Sequence, residues 1–120
     1  METPVTAWTS RVPSDPEALK ELFEQANRAS EMLKALSHET RLLILCLLSE
    51  GEKSVSELEE TLSMSQAAVS QQLARLRFDR LVKTRRDGRS IYYSIADDEV
   101  SALIGALYDI FCRKVRQPKA

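Results

Sequence analysis

The chain has 120 residues and 13.6 kDa, and its 17 Lys plus Arg against 18 Asp plus Glu leave a net charge of −1. A chain of this size buries roughly two-thirds of its unfolded surface, enough for one small domain and little more. The most apolar stretch, about residues 42–49, is far shorter than the ~20 apolar residues that span a bilayer. The first residues show no basic start followed by an apolar run, so no secretory signal is read and a cytoplasmic protein is expected. One His and two Cys give little from which to build a metal centre or a nucleophile–base pair, and no cofactor is expected.

Residues 1–14 carry Pro4 and Pro13 without periodicity and read as an irregular tail in which Trp8 stands alone. From Pro16 to Leu36 the residues Leu19, Leu22, Phe23, Ala26, Ala29, Met32 and Leu33 recur at three and four, the stripe of an amphipathic helix. Pro16 suits its first turn. A second helix follows, with Ser37 as its expected cap. Leu42 to Leu48 make that helix apolar on every side, which predicts a central position. Ser54-Val55-Ser56-Glu57 supplies a capping box for a short helix carrying Val55, Leu58 and Leu62. After a tight turn at Ser63-Met64, Ser65 caps a helix from Gln66 to about Phe78, with Val69, Leu73 and Leu76 turned inward.

Then the period changes. Leu81 to Arg86 and Ser90 to Ile95 are rich in Val, Thr, Ile and Tyr and flank Asp87-Gly88, a hairpin signal that predicts a two-stranded ribbon. A last helix starts near Asp97 and carries Val100, Leu103, Ile104, Leu107, Tyr108, Phe111 and Val115, before a tail at residues 117–120. The fold class is mainly α with a β-hairpin wing, in the order of a winged helix-turn-helix domain, expected to occupy residues 15–116. The first and last helices carry stripes longer than a small domain needs, which predicts a homodimer through them.

Charge is unevenly spread. Residues 75–89 hold seven basic side chains against Asp79 and Asp87, a local +5 that leaves −6 for the rest of the chain. A basic run is usually only a solvated face. This one covers the end of the fourth helix and the whole hairpin, the two places where such a fold meets a duplex, and so predicts double-stranded DNA as partner. Ser65, Gln66, Ala67, Ser70 and Gln71 are short or amide-bearing and suit base edges and phosphates in a major groove. Arg75, Arg77, Arg85, Arg86 and Arg89 suit phosphates or the minor groove. Gln72 is read as a surface residue without a role.

Leu36-Ser37-His38-Glu39-Thr40-Arg41-Leu42-Leu43-Ile44-Leu45, Ser56-Glu57-Leu58, Ser65 to Leu76, and Leu81-Val82 with Arg85 to Arg89 and Tyr92-Tyr93 together resemble the ArsR-type winged-helix repressors. The resemblance covers about Leu33 to Val115. It implies a homodimer on a palindromic operator, released by a chemical signal, with His38 as a fold residue and not a metal ligand. Family members that sense metals commonly carry Cys-Val-Cys where this chain reads Ser54-Val55-Ser56, and serine hydroxyls do not replace thiolates for a soft metal. Nor does the last helix hold the His of a second family site, so no metal ligands are assigned.

Cys46 and Cys112 remain. Free Cys is most often a small buried hydrophobe. On a helical projection Cys112 falls about 100° from the centre of its helix's apolar stripe, at an accessible edge. The pair, with serines at the metal positions, is similar to the sulfide- or persulfide-responsive branch of the family. That similarity implies redox sensing by a disulfide or polysulfide bridge between Cys46 and Cys112, with small reactive sulfur species as inducer. A peroxide or disulfide sensor using the same thiols stays open, as does a metal or arsenite sensor. A thiol enzyme is disfavoured because no poised base accompanies either Cys, and a protein-docking module is disfavoured by the basic wing.

Overall fold

A computed structural model describes residues 15–112. The predicted tails, Trp8 and Val115 lie outside the described residues. The elements are α1 (Pro16–Leu36), α2 (Glu39–Leu48), β1 (Lys53–Ser54), α3 (Val55–Leu62), α4 (Gln66–Phe78), β2 (Val82–Asp87), β3 (Ser90–Ile95), α5 (Asp98–Leu107) and a π-helical turn, Tyr108–Cys112.

The chain forms two compact units that divide between Lys34 and Ala35, within α1. The predicted stripe of α1 stays uncovered: Leu22 is 41% exposed, Phe23 68% and Leu33 57%, and only Ala35 and Leu36 of this helix are buried.

From Ala35 onward, the core is built from Ile44, Leu45 and Leu48 of α2, Leu58 of α3, Val69, Leu73 and Leu76 of α4, Leu81 and Val82, and Val100 and Ile104 of α5. Of the positions that periodicity selects from α3 onward, Leu58, Val69, Leu73, Leu76, Val100 and Ile104 are buried, whereas Val55, Leu62, Leu103, Leu107 and Tyr108 are half-buried and Phe111 is exposed. The caps explain why the helices begin where they do. Ser54 Oγ accepts from the Glu57 N–H while the Ser54 N–H donates to Glu57 Oε1 at 2.8 Å, the expected capping box. Ser65 Oγ accepts from the Ala68 N–H, and Asp97 Oδ1 from the Val100 N–H at 3.0 Å. For α2 the cap is His38, not Ser37: its backbone is extended, and its Nδ1 accepts from the Thr40 N–H at 3.2 Å.

Three expectations need correction. First, α2 is not covered on every side. Leu43 is 47% exposed, and Leu42, Cys46 and Leu47 are only partly covered. Secondly, the ribbon gains a third strand, giving the order β1-β3-β2, all antiparallel. β1 pairs Lys53 with Tyr93 and Ser54 with Tyr92, a bridge too short and polar to leave an alternating pattern. The hairpin loop is Gly88-Arg89, since Asp87 pairs with Ser90. Gly88 has φ 65° and Arg89 is not in the positive region, the pattern of a type II′ turn. Thirdly, the last helix is not α-helical through Cys112. It widens into the π turn after Leu107, which shifts the register on which the helical projection of Cys112 rests.

Candidate functional site

Ser65, Gln66, Ala67, Ser70 and Gln71 are all exposed along one side of α4, opposite its buried Val69, Leu73 and Leu76. Ser65 Oγ is engaged as the cap acceptor, but its own hydroxyl hydrogen stays available to donate to a phosphate oxygen. Gln72, expected to be idle, is half-buried and accepts from Arg41 Nη1 at 3.0 Å. Arg41 Nε in turn donates to the Ala35 carbonyl at 2.6 Å. This clamp fixes α4 against α2, and nothing local in the sequence marks it because the partners are 31 positions apart.

The five arginines are exposed but not equivalent. Arg75 Nε donates to Asp79 Oδ2 at 2.7 Å, one helical turn on. Arg85 lies over the Tyr92 ring, 4.8 Å from its centroid, and its Nε donates to both carboxylate oxygens of Glu52 at 3.2 Å, with Nη2 donating to Oε1 as well. The Arg85 guanidinium holds the Glu52 carboxyl below its ordinary value by hydrogen bonding, and Glu52 raises Arg85 in return. Sequence reasoning missed Glu52, which is remote in sequence and outside the basic run. Among the described residues, Arg77, Arg86 and Arg89 form no ion pair. Thus the cations left open for an incoming anion are a subset of those counted from sequence.

Cys46 and Cys112 are both free thiols and both half-buried, and they line the same two cavities. Burial, then the Cys112 sulfur beside it, pushes the Cys46 thiol above its ordinary 9.0. Both sulfurs line two cavities, of 250 and 420 Å³. The open side of α2 forms the common wall through Leu43 and Cys46, and the π turn contributes Cys112. Among the described residues no group of three or more His, Cys, Asp or Glu side chains is arranged to hold a metal ion.

Residues 38–84 match the family described as bacterial regulatory protein, arsR family. This stretch runs from the His38 cap through α4 into the wing. The chain is also 41% identical over 98 residues to the biofilm growth-associated repressor of Xylella fastidiosa strain Temecula1, spanning 82% of this chain and 86% of that protein. It belongs to the ArsR family. The solved transcriptional repressor BigR from Xylella fastidiosa is similar to this ArsR-family chain with a TM-score of 0.76 and 40% identity, covering 82% of this chain and 98% of that one. Reduced HlyU from Vibrio cholerae N16961 is similar with a TM-score of 0.75 and 42% identity, covering 79% and 100%. ArsR-type regulators bind operator DNA and are typically dimeric. The chain is therefore a transcriptional regulator of this family and not an enzyme. No described helix is long and apolar enough to cross a membrane. The matched segment includes Cys46 but ends before Cys112, so the family match by itself is silent on the thiol pair.

Proposed function

We propose that this ArsR-family protein is a repressor whose reduced dimer holds its operator and lets go when reactive sulfur species bridge Cys46 and Cys112. The observation that carries this reading is that the two free thiols, one on α2 and one on the π turn, line the same two cavities, with no metal-holding group of His, Cys, Asp or Glu among the described residues.

Cys112 acts first, because burial and the neighbouring sulfur hold Cys46 protonated. Its thiolate attacks the terminal sulfur of a hydropersulfide RSSH, the S–S bond breaks and RSH leaves, giving a Cys112 persulfide. Cys46 then attacks the inner sulfur of that persulfide and expels hydrogen sulfide, leaving a disulfide. Two thiols and one RSSH become one disulfide, one RSH and one hydrogen sulfide, so RSSH is the only oxidant required. A longer donor leaves a longer sulfur bridge.

On DNA, the exposed side of α4 with Gln66, Ala67, Ser70 and Gln71 enters a major groove, and the wing arginines take phosphates. The two reading helices of a dimer meet half-sites about one helical turn, ~34 Å, apart. The uncovered apolar residues of α1, and Ile110 and Phe111 at 70% and 73% exposure on the π turn, support dimerisation through the first and last helices. A bridge ties α2 to the π turn and shifts the spacing of the reading helices. An affinity loss of about 100-fold, about 2.7 kcal/mol, is sufficient for derepression.

The test is operator binding by fluorescence anisotropy with reductant, persulfide donor, peroxide, disulfide and metals, for the wild type, Cys46→Ser and Cys112→Ser, with intact-mass analysis. Persulfide should weaken binding by the wild type only. If both Ser variants respond normally, the thiol switch is wrong. Two free thiols lining the same cavities also suit a plain disulfide formed by peroxide, and a response to peroxide with mass loss of two hydrogens identifies that alternative.

A further inference from the structure

The thiol pair does not open into a polar cleft. The cavities of 250 and 420 Å³ meet at Leu43, Cys46 and Cys112. Away from this common wall the smaller is lined by Leu42, Leu107 and Phe111, and the larger by Leu47, Leu62 and Tyr108 with the Thr61 side chain. Glu39, in the first turn of α2, is the single charged side chain among the described lining residues, and it lies on the smaller cavity.

That lining selects by charge. Moving a carboxylate out of water into an apolar space is strongly unfavourable unless a cation pairs with it, and no described cation lines either cavity. The Glu39 carboxylate adds like-charge repulsion. An uncharged donor meets neither barrier and gains by burying its alkyl groups.

We propose that the sulfur carrier read by this site is an uncharged, apolar sulfane-sulfur compound, of the dialkyl trisulfide class, seated in these cavities against Cys46 and Cys112, in preference to a carboxylate-bearing carrier. The proposal rests on the dithiol reading above. Cys112 thiolate attacks the central sulfur of RSSSR, the bond from that sulfur to one outer sulfur breaks, and RS⁻ leaves to take up the proton that Cys112 shed. Cys46 gives up its proton and attacks the same central sulfur, and the second RS⁻ departs with that proton. Two S–S bonds break and two form, and two Cys S–H bonds are exchanged for two RSH. The product is a trisulfide bridge and no other oxidant is consumed.

The experiment uses the full reduced chain and follows bridge formation by intact mass with three carriers: dipropyl trisulfide, the dianionic bis(2-carboxyethyl) trisulfide, and the neutral dimethyl ester of that diacid. Each rate is divided by the rate of the same carrier with N-acetylcysteine amide, which removes intrinsic reactivity. Both neutral carriers should exceed the dianion by about tenfold or more, and Glu39→Lys, a change at an exposed position, should narrow the gap by speeding the dianion. Equal normalised rates, or a faster dianion, overturn the proposal. Sodium tetrasulfide tests the pair itself: if it bridges Cys46 to Cys112 while no trisulfide does, the proposal falls and the dithiol reading stands. No bridge with any of the four donors overturns both.

Discussion

Arg41 and Gln72 join the helix that carries Cys46 to the helix that presents the exposed glutamines, through a 3.0 Å hydrogen bond from Nη1 to Oε1. Arg41 sits one and a half turns before Cys46 on α2, so a displacement of α2 at the thiols reaches α4 along a short, half-buried path. Gln72→Leu leaves one arm of the guanidinium without its acceptor. It should cost about 1–2 kcal/mol in urea unfolding at fixed protein concentration and reduce the difference in operator affinity between reduced and bridged protein. An unchanged affinity difference would show that coupling runs elsewhere.

The two neighbouring wing arginines should behave differently. Arg86→Ala removes a cation that has no ion pair among the described residues, whereas Arg85 already shares its charge with Glu52. Arg86→Ala should therefore weaken binding to all sequences more than Arg85→Ala and lower the slope of log affinity against log salt by about 0.9 per lost phosphate contact. Glu52→Gln should do the reverse, strengthening binding and steepening the slope, as read by anisotropy across a salt series.

Alkylation should separate the thiols by pH. With its ionisation raised by burial and by Cys112, Cys46 stays protonated in neutral solution, so its iodoacetamide rate in the Cys112→Ser variant should rise with a midpoint still above the ordinary 9.0, because burial remains, but below the midpoint of Cys46 in the wild type. Since the raised value belongs to the folded state, the associated stabilisation is complete below the unfolded thiol's pKa and is lost as pH climbs through the folded one. Alkaline unfolding of the wild type should accordingly set in earlier than that of Cys46→Ala once baseline stabilities are matched.

Ser65→Ala tests a residue with two uses. Loss of the cap should lower stability by about 1 kcal/mol, visible as a reduced urea midpoint. Ser65→Asp keeps the cap acceptor but sets a negative charge where a phosphate approaches, so stability should be retained while DNA affinity falls. Ser65→Gly should recover most of the stability without the hydroxyl.

What was legible in the sequence was local. The α1 and α4 boundaries followed from period and caps within one or two turns, and the Ser54–Glu57 box is a four-residue pattern. His38 in place of Ser37 shows the limit of that reading, because adjacent side chains both offer an acceptor and the backbone angle of His38 decides between them. The exposed positions of α4 could be read for the same local reason. The Glu52–Arg85 pair spans 33 positions and the Arg41–Gln72 clamp 31, and no period encodes either. The π turn is a change of hydrogen-bond register without a residue signature, yet it is the element from which Cys112 joins Cys46 in lining the two cavities. The resemblance supplied the pairing of the cysteines; the helical projection alone did not.

Leu22, Phe23 and Leu33 stay in water when α1 is seen in one copy of the chain. In the dimer proposed above, covering them places part of the folding free energy in a bimolecular step. The thermal midpoint then belongs to a concentration and not to the polypeptide alone, rising with each increment of protein by mass action. An operator that seats two chains at once adds its own binding energy to that step by the same linkage, so losing the operator also loosens the partner.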